Sequence, residues 1–172
     1  MTAITVSHLP GSSLLIPYRD AKAYTDSYCI DLPFTVDLPR YIEAFYTTPL
    51  FKLERLILAL LVARPSTDTQ AAQLARGDVT RFAAWTVEAR TADQIVMCDF
   101  MSKTRSWLMV VPDTTTGTTQ LYFGSAITPA HIRHNGKAWL GLGFHLLLPF
   151  HRVYSKALLW SAARRLLSLS HS

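Results

Sequence analysis

Four histidines lie close together near the end of the chain, and their spacing is the first suggestion of chemistry: His131, His134, His145 and His151. His131 and His134 are spaced so that both could chelate a metal ion from one helical turn. Pro129 and Gly136 flank this pair, and the chain nearby offers no cysteine, aspartate or glutamate as a further ligand. We therefore predict no metal site, and expect the pair to hydrogen-bond the start of the last helix.

His151 shares one face of a predicted helix with Leu147 and Tyr154. A histidine in such a position is commonly a hydrogen-bonded core residue. It can also act as a general acid or base inside a cavity, because imidazole gains and loses its proton near neutral pH. Both interpretations stay open from the sequence alone.

Asp99 is an acidic residue on a largely apolar strand face. The strand predicted at Gln94–Met101 places Asp99 on the same side as Met97. A buried carboxylate needs a partner, and Arg105 could supply one across the next turn. Alternatively, Asp99 is a polar anchor that orients a ligand among apolar walls. Glu88, on the neighbouring strand, is a weaker candidate of the same kind.

Large aromatic side chains are spread over the central strands, where they can fill a core or line a cavity: Trp85, Trp107, Tyr122 and Phe123. We predict no nucleic-acid binding, because basic residues are few in these strands and no recognition motif is present. The sequence also lacks the nucleophile-elbow, phosphate-loop and dinucleotide-binding motifs. It therefore predicts no cofactor and gives no support to a hydrolase, kinase or dehydrogenase.

The elements that must position these residues begin with an irregular segment, residues 1–20. A strand is predicted at Ala23–Leu32, and Asp37 followed by Pro39 is a strong helix-start signal. Pro49 should separate two short helices, because proline clashes with the preceding helical turn. Residues 64–80 are polar and contain a proline and a glycine, so we expect a long loop there.

From residue 81 the apolar pattern changes to a period of two, which indicates strands. Four are predicted: Arg81–Arg90, Gln94–Met101, Arg105–Pro112 and Thr118–Ile127. Their short connections predict an antiparallel meander. A long helical pattern then begins near Leu142 and continues to Leu169, with Pro149 inside it, where we expect a kink or a late start of regular helix.

Composition and charge limit the kinds of function that the chain could have. The chain has 172 residues, 49% hydrophobic and 17% charged, which favours one globular domain over residues 1–172. Cys29 and Cys98 make no disulfide framework, and no signal sequence or membrane-spanning stretch is recognised, so we expect a cytoplasmic protein. All acidic residues precede residue 114, and the final helix carries only bases: Arg152, Lys156, Arg164 and Arg165. These bases could contact a membrane surface or an acidic partner.

Three segments carry a resemblance to a known superfamily: DSYCIDLP (Asp26–Pro33), Gly77–Val111 and Arg133–Arg164. They resemble the START-like, or SRPBCC, helix-grip proteins, in which an antiparallel sheet wraps a long C-terminal helix over a ligand cavity. They are also similar to an uncharacterised bacterial family, domain of unknown function 2867. In that family a His-Asn pair precedes the last helix and a Pro-Phe-His-Arg run lies within it. His134-Asn135 and the run from Pro149 to Arg152 stand in those places.

The resemblance implies an α+β fold with an antiparallel meander on a long C-terminal helix, and it brings no established activity. We expect non-covalent binding of a small lipophilic ligand between sheet and helix. The alternatives are a polyketide cyclase- or dehydratase-like enzyme, with Asp99, Arg105 or His151 as acid or base, and a peripheral membrane or partner-binding protein. The expected ligand contacts are Trp85, Met97, Asp99, Trp107, Phe123, Ser125, Leu147, His151 and Tyr154.

Overall fold

A computed structural model describes residues 3–62, 65–129, 131–132, 138–139 and 142–170. Within those ranges, the side chains of 57–62, 131–132, 138–139 and 142–147 lie outside the description. The strands are β1 (Thr5–Val6), β2 (Tyr24–Leu32), β3 (Arg81–Phe82), β4 (Trp85–Arg90), β5 (Gln94–Asp99), β6 (Thr104–Asp113), β7 (Thr118–Ile127), β8 (His131–Ile132) and β9 (Ala138–Trp139). The helices are α1 (Ile16–Asp20), α2 (Leu38–Tyr46), α3 (Pro49–Val62), α4 (Asp68–Arg76) and α5 (Leu142–Ser170).

Seven strands form one antiparallel sheet in the order β1-β2-β7-β6-β5-β4-β3, and β8 pairs with β9 separately. Strands β3 to β7 are consecutive neighbours, as a meander requires. Strand β2 then pairs along its whole length with β7, from Tyr24 opposite Ile127 to Leu32 opposite Thr119. The predicted fold class, an antiparallel meander with a long C-terminal helix and short helices after the first strand, is confirmed.

The two faces of the sheet carry different cores. On the face that we call inner, residues such as Ile30, Met97 and Leu108 pack against α2, α4 and α5. On the opposite, outer face, Trp107 and Tyr122 pack against Leu15 of the N-terminal segment. Both faces are therefore covered, and alternation along a strand assigns each side chain to one core or the other.

The helix signals around Asp37 and Pro49 are confirmed. The Asp37 side chain accepts a hydrogen bond from the backbone N–H of Arg40 at 2.9 Å and caps α2. Helix α2 ends at Tyr46 and α3 begins at Pro49. Proline is tolerated in the first turn because its missing N–H would have no helical partner there.

Three expectations about local structure are wrong. Residues 64–80 contain helix α4, which Thr67 and Gln70 begin with a reciprocal capping box and Gly77 ends in a left-handed conformation. Residues 1–20 contain β1 and α1 and cover the outer face of the sheet. The stretch Arg81–Arg90 is two strands, because the chain turns at Ala83, where φ is 51°.

Candidate functional site

A cavity of about 300 Å³ lies between the inner face of the sheet and helices α2, α3 and α5. Aromatic side chains form much of its wall: Phe45, Tyr46, Phe51, Trp85, Phe100, Phe123 and Tyr154. Polar side chains reach it at a few places: Glu54, Asp99, Ser106, Ser125, His151 and Ser155. An apolar cavity with a few placed polar groups is the usual form of a small-molecule site.

One polar corner of the cavity joins β2, β7 and α5. Asp26 and Ser125 are direct cross-strand partners on the inner face. The Ser125 hydroxyl donates to Oδ1 of Asp26 at 2.6 Å, and the Ser125 backbone N–H donates to the same oxygen at 3.0 Å. Nε2 of His151 lies 3.1 Å from Oδ2 of Asp26 and 2.9 Å from the Ser125 hydroxyl.

This constellation is not a nucleophile relay. In such a relay the carboxylate and the serine contact opposite nitrogens of the imidazole. Here both contact Nε2 of His151, and the Ser125 proton is directed to Asp26 rather than to the ring. Burial opposes ionisation of Asp26, but hydrogen bonds from His151 and Ser125 outweigh it and hold the pKa of the Asp26 carboxyl below its ordinary value. The corner is therefore a fixed polar anchor built around an ionised Asp26.

A second polar group, Glu54 of α3, lies on the cavity wall. Its carboxylate accepts a hydrogen bond from the hydroxyl of Tyr154, one helical turn beyond His151. Burial raises the pKa of the Glu54 carboxyl, and the Tyr154 hydrogen bond offsets only part of that effect. Burial and the nearby Glu54 raise the pKa of the Tyr154 phenol. No salt bridge to Glu54 forms among the residues that the structure describes.

Asp99 and Trp85 face each other across the β4–β5 pair at another part of the wall. The Asp99 carboxylate accepts from the backbone N–H of Lys103 at 2.8 Å and so shapes the β5–β6 turn. The Trp85 indole nitrogen is buried and has no hydrogen-bond partner in the described part of the chain. Trp85 therefore contributes mainly apolar surface to the cavity.

Arg105 does not pair with Asp99, so the first of the two alternatives for Asp99, a structural pair across the turn, is not formed. Arg105 is among the residues that line the cavity, but its guanidinium bonds Oε2 of Glu88 at 3.0 Å and lies over the Tyr18 ring. Arg105 alternates with Ser106, and it is Ser106 that lies on the inner face, opposite Met97 and Ser125. Strand alternation thus sends the charge of Arg105 to the other side of the sheet.

Of the predicted ligand contacts, six line the cavity: Trp85, Asp99, Phe123, Ser125, His151 and Tyr154. Met97 is fully buried in the inner core and does not line it. Trp107 lies on the outer face, where its indole N–H donates to Gln94 at 2.9 Å. Leu147 belongs to α5, but its side chain lies outside the described residues, as do the side chains of His131 and His145 and all of His134.

The predicted basic residues of α5 accompany exposed apolar side chains. Arg152, Lys156 and Arg164 are exposed and Arg165 is half-buried. Phe150, Val153 and Trp160 are exposed on the same helix, with Arg164 stacked over Trp160. In the described ranges, no helix is long and apolar enough to cross a bilayer.

Sequence reasoning missed Asp26 and Glu54. Asp26 has the parity of Tyr24 and Tyr28, so an acid on an apolar strand face was visible there, as it was at Asp99. Glu54 follows the helical spacing of Leu50 and Phe51 and is an acid beside an apolar stripe. Neither signal identifies the hydrogen-bond partner of the acid, because His151 and Tyr154 are far away in sequence.

Within the described ranges, no group of three histidine, cysteine, aspartate or glutamate residues could hold a metal ion. The described cavity wall offers carboxyl groups, hydroxyls and one imidazole for chemistry. Comparisons with family models, curated proteins and solved structures find no match to this chain.

Proposed function

We propose that this protein binds a small lipophilic ligand non-covalently in the cavity between the sheet and α5. The observation that carries the proposal is the cavity itself, whose volume of about 300 Å³ lies within the range of small-molecule sites. Its wall is mostly aromatic and aliphatic, so a ligand would remove apolar surface from water.

The size of the ligand follows from the volume. A water molecule in the liquid occupies roughly 30 Å³, and a methylene group is of similar size, so about ten non-hydrogen atoms fit. The apolar body would lie against Phe51 and Phe123, and a polar end would meet either the Asp26–His151 corner or Glu54. Few polar contacts suffice to orient such a ligand.

The proposal can be tested with a substitution that fills the cavity. Ser106 lies on the cavity wall, so Ser106→Phe should place a ring in the space that the ligand needs. Val111→Phe adds the same ring to the exposed end of the same strand and serves as the matched control. Calorimetric titration with phenylbutanol should show saturable binding to the wild type and the control, and at least about tenfold weaker binding to Ser106→Phe. Equal binding by folded Ser106→Phe would place the ligand elsewhere.

An acid–base enzyme on the same cavity is a second candidate. One support is Glu54, because burial favours its protonated form. The other is His151, which contacts Asp26 and lies one helical turn before Tyr154, the hydrogen-bond partner of Glu54. A proton donor and a proton acceptor would then face one ligand. A diketone probe should exchange its α-protons with solvent faster in the presence of the wild type than in the presence of His151→Gln.

The solvent-exposed side of α5 supports a third candidate function, contact with an anionic membrane surface. Exposed Phe150, Val153 and Trp160 lie among the cations Arg152 and Lys156, a combination typical of helices that lie in a lipid interface. Co-sedimentation with vesicles rich in phosphatidylserine, but not with phosphatidylcholine vesicles, would support it.

We also propose a reducing, cytoplasmic location, supported by the free thiols of Cys29 and Cys98.

A further inference from the structure

The charges around the cavity indicate which polar end a ligand should carry. Among the lining residues that the structure describes, Glu54 and Asp99 are acids and Arg105 is the single permanent cation. The Arg105 guanidinium is engaged by Glu88 on the outer face and is not directed at the cavity. In the described part of the chain, a ligand inside the cavity would therefore meet carboxyl groups without a matching arginine or lysine.

Glu54 has no cationic partner among the residues that the structure describes. The neighbouring bases of α3 are occupied elsewhere, because Lys52 and Arg55 both pair with Asp68 of α4. Tyr154 gives Glu54 a neutral hydrogen bond and no positive charge. Glu54 is half-buried, and a carboxylate partly removed from water without a cation is unfavourable, so an incoming positive charge at this position would be stabilised.

The Asp26 corner differs from Glu54 in this respect. His151 contacts Asp26 at 3.1 Å, and Arg152 next to it interacts with Tyr24 and Asp26. Asp26 is therefore already surrounded by donors and positive charge. A cationic ligand would gain more at Glu54, in a part of the cavity that Tyr46 and Phe51 also line.

We propose that the cavity selects a ligand that carries a protonated amine at the Glu54 end of a short apolar body and discriminates against carboxylates. This inference rests on the proposed binding function and adds the chemical class of the ligand. A carboxylate ligand would place a second acidic group beside Glu54, and no arginine or lysine side chain of the described cavity wall is directed there to pair with it. Fatty acids, which an apolar cavity alone would accept, are thereby disfavoured.

The test compares three probes that share one body and differ only in the end group: phenylbutylamine, phenylbutanol and phenylbutanoate. Calorimetric titration of the wild type near neutral pH should give an amine affinity at least about tenfold above that of the alcohol, with the carboxylate weakest. Glu54→Gln keeps an acceptor for Tyr154 and removes the charge, so it should abolish the amine advantage and leave alcohol binding within about twofold. Glu43→Gln, which neutralises an exposed glutamate of α2, is the matched control and should keep the advantage.

The outcomes separate the two proposals. Equal affinities for amine and carboxylate, or tighter binding of the carboxylate, overturn the amine inference and leave the binding function standing. An amine advantage that survives in folded Glu54→Gln overturns the assignment to Glu54. Absence of binding by all three probes overturns the binding function itself. If Glu54→Gln does not fold, the wild-type ranking of amine and carboxylate alone decides.

Discussion

Replacement of Asp26 by alanine should destabilise the fold strongly, because it removes the acceptor on which the polar corner is built. Oδ1 of Asp26 accepts from the N–H and the hydroxyl of Ser125, and Oδ2 contacts Nε2 of His151. The hydroxyls of Tyr24 and Tyr28 also donate to Oδ2, at 3.2 and 3.4 Å. The alanine variant would leave these donors without their common partner.

The magnitude follows from burial. The Asp26 side chain is 9% exposed, and each buried donor left without a partner costs about 1–3 kcal/mol. Ser125 would lose the acceptor of two donors, whereas His151 is 25% exposed and can regain water, so we expect a total of about 3 kcal/mol. Asp26→Asn keeps an acceptor for Ser125 and should cost less, about 1–2 kcal/mol.

The loss of stability caused by Asp26→Ala should depend on pH. The pKa of Asp26 is lower in the folded protein than its ordinary value of 3.8, so its ionised form stabilises the fold above that pH. This contribution is lost as the pH falls through the folded pKa, so the difference in stability between wild type and Asp26→Ala should become smaller in very acidic solution.

Urea unfolding from neutral to acidic pH measures the effect, with Asp31→Ala, an exposed acid on the same strand, as the control. The control should change the free energy of unfolding by about 0.5 kcal/mol or less. A cost of Asp26→Ala no greater than that of the control, or a cost that stays constant into strong acid, would contradict this role of Asp26.

Three further variants test other parts of the account. Gly124→Ala would bring a Cβ within 2.5 Å of the Asp26 carbonyl oxygen and 2.9 Å of the Trp107 ring, so urea unfolding should show a loss of about 1–3 kcal/mol. Thr67→Ala removes half of the α4 capping box and should cost about 1 kcal/mol in the same assay. Glu54→Gln should raise the melting temperature near neutral pH. Burial raises the pKa of the Glu54 carboxyl above 4.5, so the stability that the protonated carboxyl contributes to the fold is lost as the pH rises through the folded pKa. Below about pH 4 that gain should vanish, since the wild-type carboxyl is then protonated as well.

Local signals in the sequence predicted most of the elements. Period-two patterns set the limits of β7 at Thr118–Ile127, and the Asp37 cap and Pro49 set the helix boundaries. Helix α4 was missed although its signals are local, because Pro65 and a polar composition favoured a loop. The Thr67–Gln70 spacing and Gly77 are the features that should have outweighed them.

The candidate site was only partly predictable, because its contacts depend on long-range register. Asp26 meets Ser125 through the β2–β7 pairing and His151 through the packing of α5. Alternation alone could not assign Trp107 to a face, since both faces of the sheet are covered by apolar residues. The cover on the outer face comes from the N-terminal segment around Leu15, which the sequence pattern left irregular.

The most direct test of ligand binding in this cavity uses two tryptophans that lie on opposite faces of the sheet. Trp85 lines the cavity, whereas Trp107 is fully buried in the outer core and bonded to Gln94. In an NMR titration with phenylbutylamine, the indole N–H resonance of Trp85 should shift saturably while that of Trp107 stays in place. A saturable shift of Trp107 alone, or no shift of Trp85 at probe concentrations that saturate binding, would contradict the account.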